Sequence, residues 1–247
     1  MTLYNHNSLH MTYRYRPIVL FLVLLFCSSC SVIFNNRRTA YRQIDEIKST
    51  AMLVRFRSPD KQVAFLKSHN KNKEAQDLLT EVEKENKMIF EAFNAEYDFS
   101  DYYFITYDDY QNIRNDDYDQ VLLIDKEGNT VNNKRFLENG FHIISFEGAY
   151  ETQFFSTDAS GKRTPGGGSK KVAALAVLDH EFIQLIKPFP YSAGSYMLLK
   201  DPRSRKEISD NKTQLVQELN NRLHQFYNNN QSQITKYRGQ DKYYHRQ

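Results

Sequence analysis

Apolar and polar positions along this chain follow two periods, and the changes between them mark the elements. Ala51-Met-Leu-Val-Arg-Phe56 is a short apolar run of β type, closed by Ser58-Pro59-Asp60, a helix-start signal. From Lys61 to Ala95 the spacing turns helical. Ala75, Leu78, Leu79, Val82, Ile89 and Phe93 share one face, and His69-Asn-Lys-Asn divides the stretch into two helices. Tyr102 to Tyr107 and Val121 to Ile124 read as buried strands with a polar, partly helical link, followed by a turn at Asp125 to Asn129. Phe141 to Phe146 and Tyr150 to Phe155 predict one hairpin. Val172 to Leu178 and Phe182 to Ile186 predict a second, around Asp179-His180-Glu181. Between them Ser156 to Lys171, with Thr164-Pro-Gly-Gly-Gly-Ser169, predicts a mobile loop. A last amphipathic helix, capped by Asp210, aligns Leu215, Leu219, Leu223 and Phe226.

These elements predict an α+β single domain: a mixed sheet with a long N-terminal helical segment and a C-terminal amphipathic helix. Apolar periodicity begins near Ile44 and ends at Phe226-Tyr227, so the expected globular unit is 43–227. A tether over 30–42 precedes it, and a disordered basic tail over 228–247 follows. The β-α-β opening and the closing β-hairpin-helix resemble a degenerate thioredoxin-like topology, the alternative arrangement. The turn after Tyr107 reads Asp108-Asp-Tyr-Gln111 and has no thiol, so that family's redox chemistry does not carry over.

Residues 1–29 have another character. Arg14 and Arg16 precede nine unbroken apolar residues, Ile18 to Phe26, and then Cys27-Ser28-Ser29-Cys30. Nine helical residues span about 14 Å against a hydrocarbon core of about 30 Å, so the run is a signal h-region and not a membrane span. The segment resembles the lipobox of bacterial lipoproteins, in which small residues precede a cysteine that becomes the lipidated N-terminus. Ser28 and Ser29 fit that pattern, while Cys27 stands where the family prefers Leu. The resemblance implies a lipoprotein signal peptide over 1–29, lipidation at Cys30, and a partner in the membrane itself. With its Asn- and Tyr-rich body and Lys187-Pro-Phe-Pro-Tyr191, the chain resembles small uncharacterised lipoproteins of Bacteroidetes-type bacteria, a likeness that brings no known activity. Ser31-Val-Ile-Phe-Asn35 has no acid after the cysteine, which favours the outer membrane facing the periplasm. Met11 is an alternative start giving a compact signal.

Composition adjusts this picture in two ways. Arg14 and Arg16 are the only charges before Cys30, so the balance of 33 basic and 30 acidic residues falls to 31 against 30 beyond it. That near-neutral field excludes nucleic acid as the expected partner. Cys27 and Cys30 are the only cysteines, so the segment after them expects neither a disulfide nor thiol chemistry.

Candidate chemistry is sparse. Glu96 to Asp119 holds eight acids and six tyrosines. Asn115-x-Asp117-x-Asp119 resembles the opening of a calcium loop, but Gln120 replaces the required Gly and Lys126 the closing Glu, which favours a solvated acidic loop. Gly166-Gly-Gly168 before Ser169-Lys-Lys171 lacks the Gly-Lys-Ser/Thr order and the following helix of a phosphate loop. Asp179-His180-Glu181 is read as a solvated turn whose side chains diverge. Histidines 69, 142, 180, 224 and 245 show no zinc spacing. Phe189-Pro190-Tyr191 is read as a core cap or, alternatively, a groove lining. No catalytic, metal or cofactor residue is assigned. The expectation is a non-enzymatic binding or accessory lipoprotein, with an envelope protein or small ligand as partner. The alternative is an envelope hydrolase or transferase with an Asp- and Tyr-lined site.

Overall fold

A computed structural model describes residues 36–106, 109–194 and 211–238. Cys27, Cys30 and Asp210, the signal peptide, and the last nine residues lie outside that set. The described chain begins in helix α1, seen over 36–49, and passes directly into strand β1, Ala51–Arg55. Helices α2 (Asp60–Ser68) and α3 (Asn72–Glu96) follow, split at 69–71 as expected, and lead to β2 (Asp101–Ile105). After α4 (Tyr110–Arg114) come two single-turn helices, at Tyr118–Gln120 and Arg135–Asn139, and then β3 (Phe141–Ser145). Strands β4 (Ala149–Tyr150), β5 (Gln153–Thr157), β6 (Arg163–Gly168), β7 (Lys171–Val172), β8 (Leu175–Leu178) and β9 (Ser192–Ala193) complete the β part. Helices α5 (Lys212–Asn229) and α6 (Gln231–Arg238) close the described chain.

The fold is α+β on a five-stranded mixed sheet of order β2-β1-β3-β8-β9. Strand β1 is central and parallel to both β2 and β3, with Val54 opposite Phe104 on one side and Ile144 on the other. Strand β8 runs antiparallel to β3, and β9 antiparallel to β8. A central strand buried on both faces needs an unbroken apolar run, and all five residues of β1 are buried. Its alternating side chains feed two cores. Met52 and Val54 join Phe104, Ile144, Leu175 and Val177 beneath helices α1, α3, α5 and α6. Leu53 joins Ile105, Ile113, Val121, Leu123, Phe141, Ile143 and Phe182 on the opposite face.

The helical layer follows the apolar stripes. Ala40, Ile44 and Ile47 of α1 are each no more than 1% exposed. Ile89, Ala92 and Phe93 of α3 and Leu215, Val216, Leu219 and Leu223 of α5 meet them. Burying such side chains contributes about 1.5–3 kcal/mol each against remaining in water. One ion pair is enclosed with them. Lys212, 1% exposed, places Nζ 2.8 Å from Glu85 Oε1 and 4.6 Å from the centroid of the Phe146 ring. Glu85 also accepts from Arg57. Burial lowers the Lys212 pKa. Burial alone would raise that of Glu85, but Lys212 and Arg57 together bring it below the usual range.

Several expectations need correction. Phe141 to Phe146 does not form a hairpin with Tyr150 to Phe155: β3 lies between β1 and β8, and only non-local partners satisfy its five buried residues. Val121 to Ile124 is not a strand. Val121 and Leu123 plug the lower core, and only Ile124 bridges to Phe104 at the sheet edge. Ser156 to Lys171 is an ordered ribbon, not a mobile loop, with β6 antiparallel to β5. Gly168 is a steric requirement, since a Cβ there would lie 2.3 Å from the Tyr150 ring. The supposed tether is helical from residue 36, and the supposed tail continues in α6 to Arg238. In α6 Ile234 is 2% exposed, Tyr237 stacks on Tyr41 at 6.0 Å, and the Arg238 guanidinium grips Asp45 with Nε at 2.8 Å. Parallel β1 and β2 are joined by helices, and β8 pairs antiparallel with β9 ahead of α5. Strand β3, parallel to β1, separates those two halves.

Candidate binding cleft at the ends of strands β1 and β3

From β1 the chain leaves toward β2, and from β3 it leaves toward β8, so a crevice opens between their carboxyl ends. Arg55 ends β1 and Ser145 ends β3. Leu53 and Ile143 turn toward the lower core, so the same alternation gives that face to Arg55 and Ser145, one pleat further on. There the apolar run meets a cleft of about 160 Å³.

Arg55 is the unusual residue. Its side chain is only 8% exposed, and a guanidinium cannot shed its charge, so burial demands an anion and hydrogen-bond acceptors. Ser145 Oγ accepts from Arg55 Nη2 at 3.3 Å and from the Glu147 amide at 3.3 Å. The Glu147 carboxylate pairs with the guanidinium, and that side chain is 52% exposed. Gly148, at φ 96, then turns the chain into β4.

The walls are aromatic and amide. Tyr110 packs on Phe182 with ring centroids 4.4 Å apart, and Tyr150, Pro165 and Leu178 complete the apolar surface. Phe182 sits at φ 64, where a bulky side chain costs about 1 kcal/mol or more, in the turn whose Phe182 amide bonds the Asp179 carbonyl at 2.9 Å. Gln184, 4% exposed, fixes the far wall. Its amide accepts from the Tyr150 amide at 2.7 Å and donates to the Tyr150 carbonyl at 2.8 Å. At the rim the Lys171 ammonium lies 5.1 Å from the Tyr150 ring centroid. Among the described residues the charged lining is Arg55, Lys171 and Glu147.

The residues singled out from sequence lie elsewhere. Asp98 accepts from Asn220 and His224 on α5, at 2.9 and 2.8 Å, which lower its pKa. Asp109 accepts from the Thr106 amide and hydroxyl and the Leu122 amide, and so ties a turn. Asp116 bonds Tyr118, while Asp117 and Asp119 are exposed. Among the described residues of the Asp- and Tyr-rich segment, Tyr110 alone reaches the cleft. Among the described residues no group of three or more His, Cys, Asp or Glu side chains is placed to hold a metal ion. Asp179 and Glu181 do not diverge into water. Both converge on Arg163, at 2.6 and 2.5 Å, and so bind the β5–β6 ribbon to the turn after β8. Phe189 is 1% exposed in the helical core, and Tyr191 packs partly buried against it.

His142 is buried with no hydrogen-bond partner on Nδ1 among the described residues. Burial, with a smaller contribution from His180, pushes its pKa down to about 4. The sequence carried one signal for the cleft that went unread. Arg55 is a charge inside an apolar run, followed by Phe56, and such a residue is either an edge or a site. Compared with protein-family models, curated proteins and solved structures, the chain matches none of them.

Proposed function

We propose that this chain is a lipid-anchored protein of a bacterial envelope, held through Cys30 in the outer membrane and facing the periplasm. Its α+β domain acts there as a binding or accessory module and not as an enzyme, and the cleft at Arg55 is its ligand seat. The observation that carries the binding part is the buried guanidinium at the end of the central strand, lining a cavity walled by Tyr110, Phe182, Tyr150 and Gln184. The anchor rests on Cys27-Ser28-Ser29-Cys30 after the apolar run. Among the described residues no helix is long and apolar enough to cross a membrane. The alternative hydrolase or transferase requires Asp and Tyr groups that converge; among the described residues of 96–119, Asp98, Asp109 and Asp116 serve separate turns and helix contacts.

Two experiments test the two parts. Cys30→Ala should abolish acyl labelling and release the protein from envelope membranes, since acyl chains at about 0.8 kcal/mol per buried CH₂ make detachment of the wild type negligible. Acyl label persisting on that variant refutes the anchor. For the cleft, a small-molecule extract of the envelope should shift the NMR signals of labelled tyrosines at Tyr110 and Tyr150. Shifts confined to tyrosines outside the cleft would reject it.

A further inference from the structure

We propose that the outer edge of strand β5 is a self-pairing surface. Two copies of the chain join β5 to β5 antiparallel, about a twofold axis at Phe155, and merge their ribbons into one four-stranded sheet.

The hydrogen-bond phase of the ribbon fixes which backbone groups face outward. Along an antiparallel pair, residues that exchange bonds alternate with residues that do not. The Asp158 amide bonds the Lys162 carbonyl at 3.0 Å, so Asp158 faces inward. The next pair, Thr157 with Arg163, is not bonded: the Arg163 amide donates to Glu181 Oε1 at 2.8 Å, away from β5. Ser156 with Thr164 is again of the bonded kind. Phe155 with Pro165 is not, as the missing proline N–H requires. The N–H and C=O groups of Phe155 and Thr157 therefore point out from β5, and among the described residues they meet no backbone partner.

Strand β6 is shut on its far side, by the Glu181 bond at Arg163 and by Pro165, which has no N–H to give. The ion pairs of Arg163 with Asp179 and Glu181 also hold the ribbon on the body, so the β5 edge is preformed. With this one edge open, addition stops at two copies and gives a closed dimer rather than a fibre.

The side chains select the occupant. Edge strands are normally guarded by a charge or a proline. Gln153-Phe-Phe-Ser-Thr157 has neither, and Phe154 and Phe155 are 59% and 50% exposed. No like charges meet when this strand faces its own copy. Setting Phe155 opposite the partner's Phe155 brings outward groups against outward groups, so each of these residues gives one bond and receives one. The Arg163 guanidinium, 5.6 Å from the Phe155 ring centroid, then flanks the ring pair from each copy. Four half-exposed rings hide at most about 400 Å² of apolar surface, at about 150–250 Å² for a whole ring. With the paired backbones, that places the contact at the low end of specific interfaces, a weak dimer.

Sedimentation of the full-length chain in density-matched detergent should show a monomer–dimer equilibrium, with a dissociation constant of about 10 µM to 1 mM. Thr157→Pro deletes an outward amide and leaves the β5–β6 bonds alone. It should weaken the dimer about tenfold or more while circular dichroism stays unchanged. Oxidative cross-linking in the native membrane tests the register. Phe155→Cys should link copy to copy, since paired Cα atoms lie about 5.5 Å apart; Phe154→Cys should not, since the same register sets its two copies more than about 7 Å apart. The unsubstituted chain, whose cysteines are Cys27 and Cys30, sets the background. A chain that stays monomeric across that range overturns the proposal. So does an undiminished dimer in Thr157→Pro, or cross-linking at Phe155→Cys no stronger than at Phe154→Cys. A monomer that instead captures an added extended peptide would give the edge to a foreign strand, and self-pairing would fall with it.

Discussion

Lowering the pH from 7 to 5 should weaken the folded state through His142, and replacing that residue with leucine should abolish the effect. His142 is 6% exposed on β3, its Nδ1 has no partner among the described residues, and its pKa is pushed down to about 4. In the unfolded chain the imidazole titrates near 6.5. The unfolded state therefore takes up a proton that the folded state refuses. The contribution is fully present above about pH 6.5, is lost as the pH falls toward 4, and levels off below that. Over the whole window the loss is about 3 kcal/mol, of which about 2 kcal/mol falls between pH 7 and pH 5. His142→Leu also removes a buried, unsatisfied nitrogen, so it should stabilise by about 1 kcal/mol at pH 7. The assay is urea unfolding followed by circular dichroism at pH 7, 6 and 5, with the m-value checked for constancy. Carboxylates that titrate at the low end are common to both proteins and cancel in the comparison. Parallel loss of stability in wild type and His142→Leu would refute the reasoning.

The enclosed pair of α3 and α5 gives an asymmetric prediction. Glu85→Gln strands the buried Lys212 ammonium and should cost about 3–5 kcal/mol, whereas Lys212→Met should lie within about 1 kcal/mol of wild type by thermal unfolding. Equal costs would contradict it. Ending the chain at Asn229 removes Ile234 and the Tyr41–Tyr237 stack, and should lower stability by about 2–4 kcal/mol. In the intact protein, trypsin should cut slowly after Lys236, and rapid trimming there without loss of stability would count against a docked α6.

What was legible in the sequence follows from how many residues carry each signal. Helices α2 and α3 span enough turns for their apolar stripe and their break at 69–71 to be read directly, and β1 is legible as a short apolar run of β type. Helix α6 was missed because its only fully buried apolar side chain is Ile234, and its remaining hold comes from Arg238 and Tyr237 on residues of α1. The β5–β6 ribbon is not legible because Pro165-Gly-Gly-Gly168 has low strand propensity, while the demand for glycine at Gly168 comes from Tyr150 and Thr152. The pairing of β3 with β1 is set by contacts about 90 residues apart, which no local pattern encodes. Beyond the charge of Arg55 inside its apolar run, the cleft is illegible for the same reason. Arg55, Ser145, Lys171 and Gln184 come from separate segments, and only the sheet order brings them to one crevice.

The central claim is that the Arg55 cleft holds a ligand in the envelope, and native mass spectrometry of the protein extracted from its own membranes tests it most directly. The account expects wild type to carry a small non-covalent adduct that is absent from a folded Arg55→Lys variant extracted in the same way. An adduct-free wild type, or the same adduct retained on Arg55→Lys, would contradict it.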